Sequence, residues 1–192
     1  MHPELDEYRR QFHVIDHDAA ALVAGLTEDQ LAWRERPALW SIADCFNHLI
    51  VAGDQSLANI RIAAARARDR GMLGSGPFRH GMMGAWFVHF MDAPAKIRVR
   101  SPRAYLPAPH MPVAEICPRF FRLQMDLVKA LEEVDGIDLA RVKVPNPVTN
   151  WFTMSLGQEF AFIAAHERRH LRQASHVRQK LEGGHDVFAG GH

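Results

Sequence analysis

Residues 155–184 read SLGQEFAFIAAHERRHLRQASHVRQKLEGG. Leu156, Phe160, Ile163, His166, His170, Ala174, Val177 and Leu181 recur there at three- and four-residue steps. That period stacks side chains on one face of an α-helix. Ser155 with Gln158 three residues on is a capping-box start, and Gly183 and Gly184 are a stop. The spacing therefore predicts a long amphipathic helix. His166 and His170 fall inside its apolar stripe, so two imidazoles are carried toward the core.

Upstream, the same period appears three more times. Leu5, Tyr8, Phe12, Ile15, Ala19 and Leu22 follow Pro3 and end at Gly25. Ile42, Phe46, Leu49, Gly53, Leu57 and Ile60 follow Ser41, a good N-cap with Asp44 in the box position, and run to about Arg70 before Gly71. Ile116, Phe120, Leu123, Leu127, Ala130 and Val134 mark a helix over about Val113–Val134, with Pro118 in its first turns. No strand pattern competes. Two irregular links interrupt the helices, 71–111 and 136–154. The expected fold is all-α, a four-helix bundle with long crossover connections. One domain spans 1–184, and 185–192 is a flexible glycine-rich tail. The 71–111 crossover, rich in Gly, Pro and Met, is expected to lie over one end of the bundle and help wall a pocket. Trp86 and Phe87 are costly to leave in water.

Composition narrows the function classes. The chain has 192 residues, 47% hydrophobic and 23% charged, with a net charge of +1. That balance suits an ordinary globular domain and gives no chain-wide positive field for nucleic acid. The basic run Arg61–Arg70 reads as a solvated helix end. Cys45 and Cys117 are too few for a disulfide framework. The start MHPELDEYRR lacks the character of a secretory signal, and no apolar run reaches the roughly 18 residues of a membrane span. A cytoplasmic protein with no membrane partner is expected.

Twelve histidines are unusual for this length. His166 and His170, one turn apart in an apolar stripe, need partners, and a metal satisfies both at once; two separately hydrogen-bonded core histidines are the plainer alternative. His13 and His17 have the same spacing but lie opposite their helix's stripe, beside Asp16 and Asp18, and are expected in solvent. HERRH also matches HExxH, with Glu167 in the base position and His176 where a metzincin places its third ligand. The match fails at Gln173, which stands where that motif needs a turning glycine. Helix continues instead, His176 rotates away, and only sixteen residues follow it. On that context a metalloprotease is the least favoured of the readings. Periodicity does not settle a third ligand. His48 lies about 130° from the centre of its helix's stripe, on a small, polar face with Ser41, Asp44, Cys45, Ala52, Gln55 and Asn59. That face is either solvated or the lining of a polar site.

Two segments carry a family resemblance: RPALWSIADCFNHLIVAGDQ, where Trp-Ser precedes a helix bearing one histidine, and HERRHLRQ, paired histidines followed by a glutamine. In order, separation and element length over roughly residues 5 to 182, the chain resembles the DinB/YfiT-like family of bacterial four-helix-bundle metalloenzymes. The resemblance implies His48, His166 and His170 as ligands of one divalent metal ion, zinc or nickel, and a homodimer. The long Met- and Pro-rich crossover departs from the family pattern.

Three histidines leave an open coordination position, which favours chemistry. Asp44, one turn before His48, is a candidate to orient its ring, and Glu159 is a second such carboxylate. Glu167 is a candidate general base, against the plainer reading of a solvated surface glutamate. Cys45 reads as a small core residue. Two functions are open: an enzyme using activated water or a low-molecular-weight thiol on a small-molecule substrate, as hydrolase or thiol-dependent transferase, or a non-catalytic, stress-associated metal-binding bundle.

Overall fold

The computed structural model describes residues 1–92, 111–145 and 153–186. Six helices and two two-residue strands occur in the order α1 (Pro3–Val23), α2 (Glu28–Ala32), α3 (Ile42–Asp69), α4 (Met82–Asp92), α5 (Val113–Glu133), β1 (Lys143–Val144), β2 (Met154–Ser155) and α6 (Leu156–Asp186). The architecture is all-α. The four long helices are neighbours in sequence-distant pairs: α1 lies on α5 and α6, and α3 lies on the same two. Their stripes meet in one core built on Phe12, Phe46, Phe120 and Phe160, all fully buried.

Local chemistry explains the boundaries. Ser41 accepts from the Asp44 N–H, and the Asp44 side chain accepts in return from the Ser41 N–H, closing the capping box at the start of α3. The same reciprocal pair, Thr27 with Gln30, starts α2, a short helix between the first two long ones. At α6, the Gln158 side chain accepts from the Ser155 N–H. α6 runs on through Gly183 and Gly184 to Asp186, so the expected stop there does not hold. The rest of the expected tail, 187–192, lies outside the described residues. Gly53 has Leu123 against its α-carbon, where any Cβ would collide, and this lets α3 and α5 approach closely.

The 136–154 link contains the strand pair. β1 and β2 are antiparallel, Lys143 opposite Ser155 and Val144 opposite Met154, and together they position the first turn of α6. The crossover departs from expectation. Its helix α4 packs along the flank of α6 and is not draped over an end. Gly84 sits directly on Gln158, whose side chain donates to the Gly81 carbonyl. At the other end Asp92 accepts from Arg168 and Arg172. Met82, Met83 and Trp86 are 89%, 65% and 64% exposed, so the expected shelter of these apolar side chains is not found. A helix seated on a single neighbour buries only one stripe. Residues 93–110, the rest of that link, lie outside the described residues.

Candidate metal centre

α3 explains why periodicity could not place His48. The first half of this helix is buried on both its apolar stripe and its small, polar face. α5 covers one and α6 the other, so the polar face lines the interior. His48 is 2% exposed on that face. α6 runs antiparallel to α3 and brings His166 and His170 to the same level.

Three rings converge there. His48 Nε2 and His166 Nε2 are 3.1 Å apart. Ring centroids are separated by 4.4 Å for His48–His170, 4.7 Å for His166–His170 and 4.9 Å for His48–His166, each pair edge to face. One nitrogen from each ring lies within 4.8 Å of the others. Burial holds His166 well below the ordinary histidine range, helped by the neighbouring His170 and His48. Burial likewise lowers His170 to about 3, helped by His48. These two rings are neutral at pH 7, the form that binds a metal. Two imidazole nitrogens facing each other share at most one proton, so at least one lone pair points into the cluster. Convergent neutral imidazoles suit a borderline divalent ion.

The surroundings fix the rings. His170 Nδ1 is 3.1 Å from Gln173 Oε1, one turn on. The carboxamide oxygen accepts the Nδ1 proton, which leaves Nε2 with the lone pair. Trp40, the residue before the Ser41 cap, lies against both His48 and His170, with centroids 5.0 and 5.7 Å away. Phe162 stacks on His166 at 5.5 Å, nearly parallel. Sequence reading had no role for Trp40 or Gln173. Their signals were present, as the Trp-Ser pair before α3 and the glutamine after the paired histidines.

The remaining candidates fall elsewhere. Asp44 spends its oxygens on the helix cap and on a two-bond pairing with Arg34, Nε and one Nη each at 2.9 Å. Its expected part in orienting the His48 ring therefore gives way to the helix start. Glu159 is buried, and its Oε1 accepts from the Ser56 hydroxyl at 2.8 Å. Seven residues from His166, it is about 10 Å along the helix and orients no ring of the trio. Glu167 is 1% exposed and no solvated surface residue. Its Oε1 accepts from Gln124 on α5 at 2.8 Å. Burial pushes its carboxyl up to about 8, so it is chiefly neutral at pH 7 and poorly suited to act as a base. His13, His17 and His176 are exposed and away from the trio, as the helical phase predicts. His80 is bonded to Glu4 and Ser155 at the far end of α6. Cys45 is a fully buried core thiol.

The fold is helical, and three histidines on two of its antiparallel helices form a group that could hold a metal ion. A family model, the DinB superfamily, matches residues 11–174, and the chain belongs to that family. Comparison with curated proteins and with solved structures gives no match. Among the described residues, no helix is long and apolar enough to cross a membrane.

Proposed function

We propose that this chain is a metal-dependent enzyme in which His48, His166 and His170 hold one divalent ion, zinc or nickel. The observation that carries the reading is the convergence of three imidazole nitrogens within 4.8 Å of one another. An ion held by three protein ligands keeps an open position and supplies Lewis acidity that eases deprotonation of water or a thiol. The chain's own residues do the rest. Gln173 selects the tautomer of His170. Trp40 and Phe162 pack the rings in place and shield that side from solvent. Glu167, raised by burial, is a poor proton acceptor at neutral pH.

The reading includes a small-molecule substrate, activated water or a low-molecular-weight thiol as the attacking group, and a homodimer. Metal analysis of the purified protein, followed by paired assays of thiol transfer and of ester and amide hydrolysis, tests it. Turnover by the wild type that disappears in His166→Ala supports it. Bound metal with no turnover in either assay favours the non-catalytic bundle, and a chain that takes up no divalent metal overturns both.

A further inference from the structure

Glu159 and Glu167 are the two buried carboxyl groups among the described residues. Glu167 meets a carboxamide, whereas Glu159 has one neutral partner, the Ser56 hydroxyl, and no ion pair among the described residues. Burial raises this carboxyl to about 7 against the Ser56 hydrogen bond, and its charged form needs further donors.

Its position says where such donors would come from. Seven and eleven residues separate Glu159 from His166 and His170, so at 100° per residue it lies within about 20° of both on α6. Across the interface, Ser56 is eight residues from His48. The contacts His48–His166 and Ser56–Glu159 are thus two cross-links on one antiparallel seam. They are about 11 Å apart at 1.5 Å per residue. Between them α3 presents Ala52, only a methyl, and half-buried Gln55. The seam has histidines at one end and a carboxyl at the other, with Ala52 and Gln55 of α3 between them and Phe162 and Ile163 of α6 alongside.

We propose that Glu159 is the distal recognition point of the histidine site. It accepts hydrogen bonds from a donor headgroup, ammonium or amide N–H, of an elongated substrate whose reacting end lies at the three rings. Ser56 fixes Oε1 and leaves Oε2 for the ligand. The inference rests on the metal-dependent reading of His48, His166 and His170.

The test uses the full chain loaded with cobalt. Alkanethiols of graded length, ending in ammonium, amide or methyl, are titrated by sulfur-to-cobalt charge-transfer absorption. Chains that span roughly 11 Å should bind about tenfold or more tightly with a donor end than with methyl, as expected for a hydrogen bond to a charged group. Glu159→Gln keeps an oxygen for Ser56. It should lose most of the ammonium advantage and leave methyl-ended thiols unchanged, with its melting temperature confirming the fold. An ammonium gain above the amide gain identifies charge as the determinant, and equal gains identify the N–H. Donor ends no better than methyl at every length, or an advantage untouched by Glu159→Gln, overturns the inference alone. Cobalt bound with no absorption from any thiol overturns the metal–thiol reading and the inference with it.

Discussion

His48 and His166 face each other Nε2 to Nε2 at 3.1 Å across the α3–α6 interface. The two facing nitrogens can hold one proton between them at most, and His170 stands beside both rings. Without a shared ligand the cluster is a poor use of a core. With one, it cross-links two of the long helices.

Removal of a ring should therefore lower metal content and metal-dependent stability together. Binding to the folded state alone adds about 2.7 kcal/mol when free metal is a hundredfold above the dissociation constant. His48→Ala and His166→Ala should each lose most of that increment. His13→Ala with His17→Ala should change neither property, since both side chains are exposed. Mass spectrometry of bound metal and melting with and without metal check this. Stoichiometric metal in a His48→Ala, His166→Ala double variant would refute the ligand set.

Gln173 should matter through His170 alone. Its carboxamide accepts from Nδ1 at 3.1 Å, and such outer partners typically contribute about 10–100-fold in metal affinity. Gln173 is exposed, so Gln173→Ala should leave the metal-free melting temperature unchanged. Gln173→Glu, which still accepts from Nδ1, should restore affinity. Quenching of Trp40 fluorescence by nickel offers a direct reading, because that indole lies against two of the rings. Equal nickel affinity in wild type and Gln173→Ala would remove Gln173 from the site.

The helices were legible because each stripe is a local pattern. Phe12, Phe46, Phe120 and Phe160 all sit in stripes of the helical period, and all are core. His166 and His170 could be read the same way. His48 could not, because α3 is buried on two faces and periodicity assumes one. Its placement needed the family resemblance. Glu167 was misjudged for a related reason: charge suggests solvent, and only the partner on α5, far away in sequence, makes its burial tolerable. α4 was read as an end cover because the pattern marks apolar residues without showing how many neighbours will cover them.

Gly53 reports on how tightly α3 and α5 close. A methyl there meets the Leu123 side chain, which is itself fully buried. Gly53→Ala should cost about 1–3 kcal/mol by overpacking despite the better helix propensity of alanine. Chemical denaturation of the metal-free protein measures it. Pairing Gly53→Ala with Leu123→Ala should recover part of the loss relative to the sum of the two single changes, since the new methyl fills some of the vacated space.

Glu167 should set the alkaline side of the stability profile. Its carboxyl is raised by burial from 4.5 to about 8, with the Gln124 hydrogen bond opposing. In the unfolded chain it ionises near 4.5. Between those values the folded state binds the extra proton, so stability falls as pH rises. The contribution is fully present below about pH 4.5 and is lost as pH climbs through about 8. The neutral acid also accounts for two otherwise unpaired buried atoms, Glu167 Oε2 and Gln124 Oε1. Protonation of Oε2 would supply a donor where the Gln124 oxygen has none. Glu167→Gln keeps a polar side chain of the same shape and cannot ionise. It should flatten the profile between pH 5 and 8 and be the more stable protein at pH 8 and above, by on the order of 1–3 kcal/mol. Urea denaturation of the metal-free protein across that range decides the matter. A wild-type profile whose slope survives unchanged in Glu167→Gln would show that another group titrates there and that Glu167 is ionised in the fold.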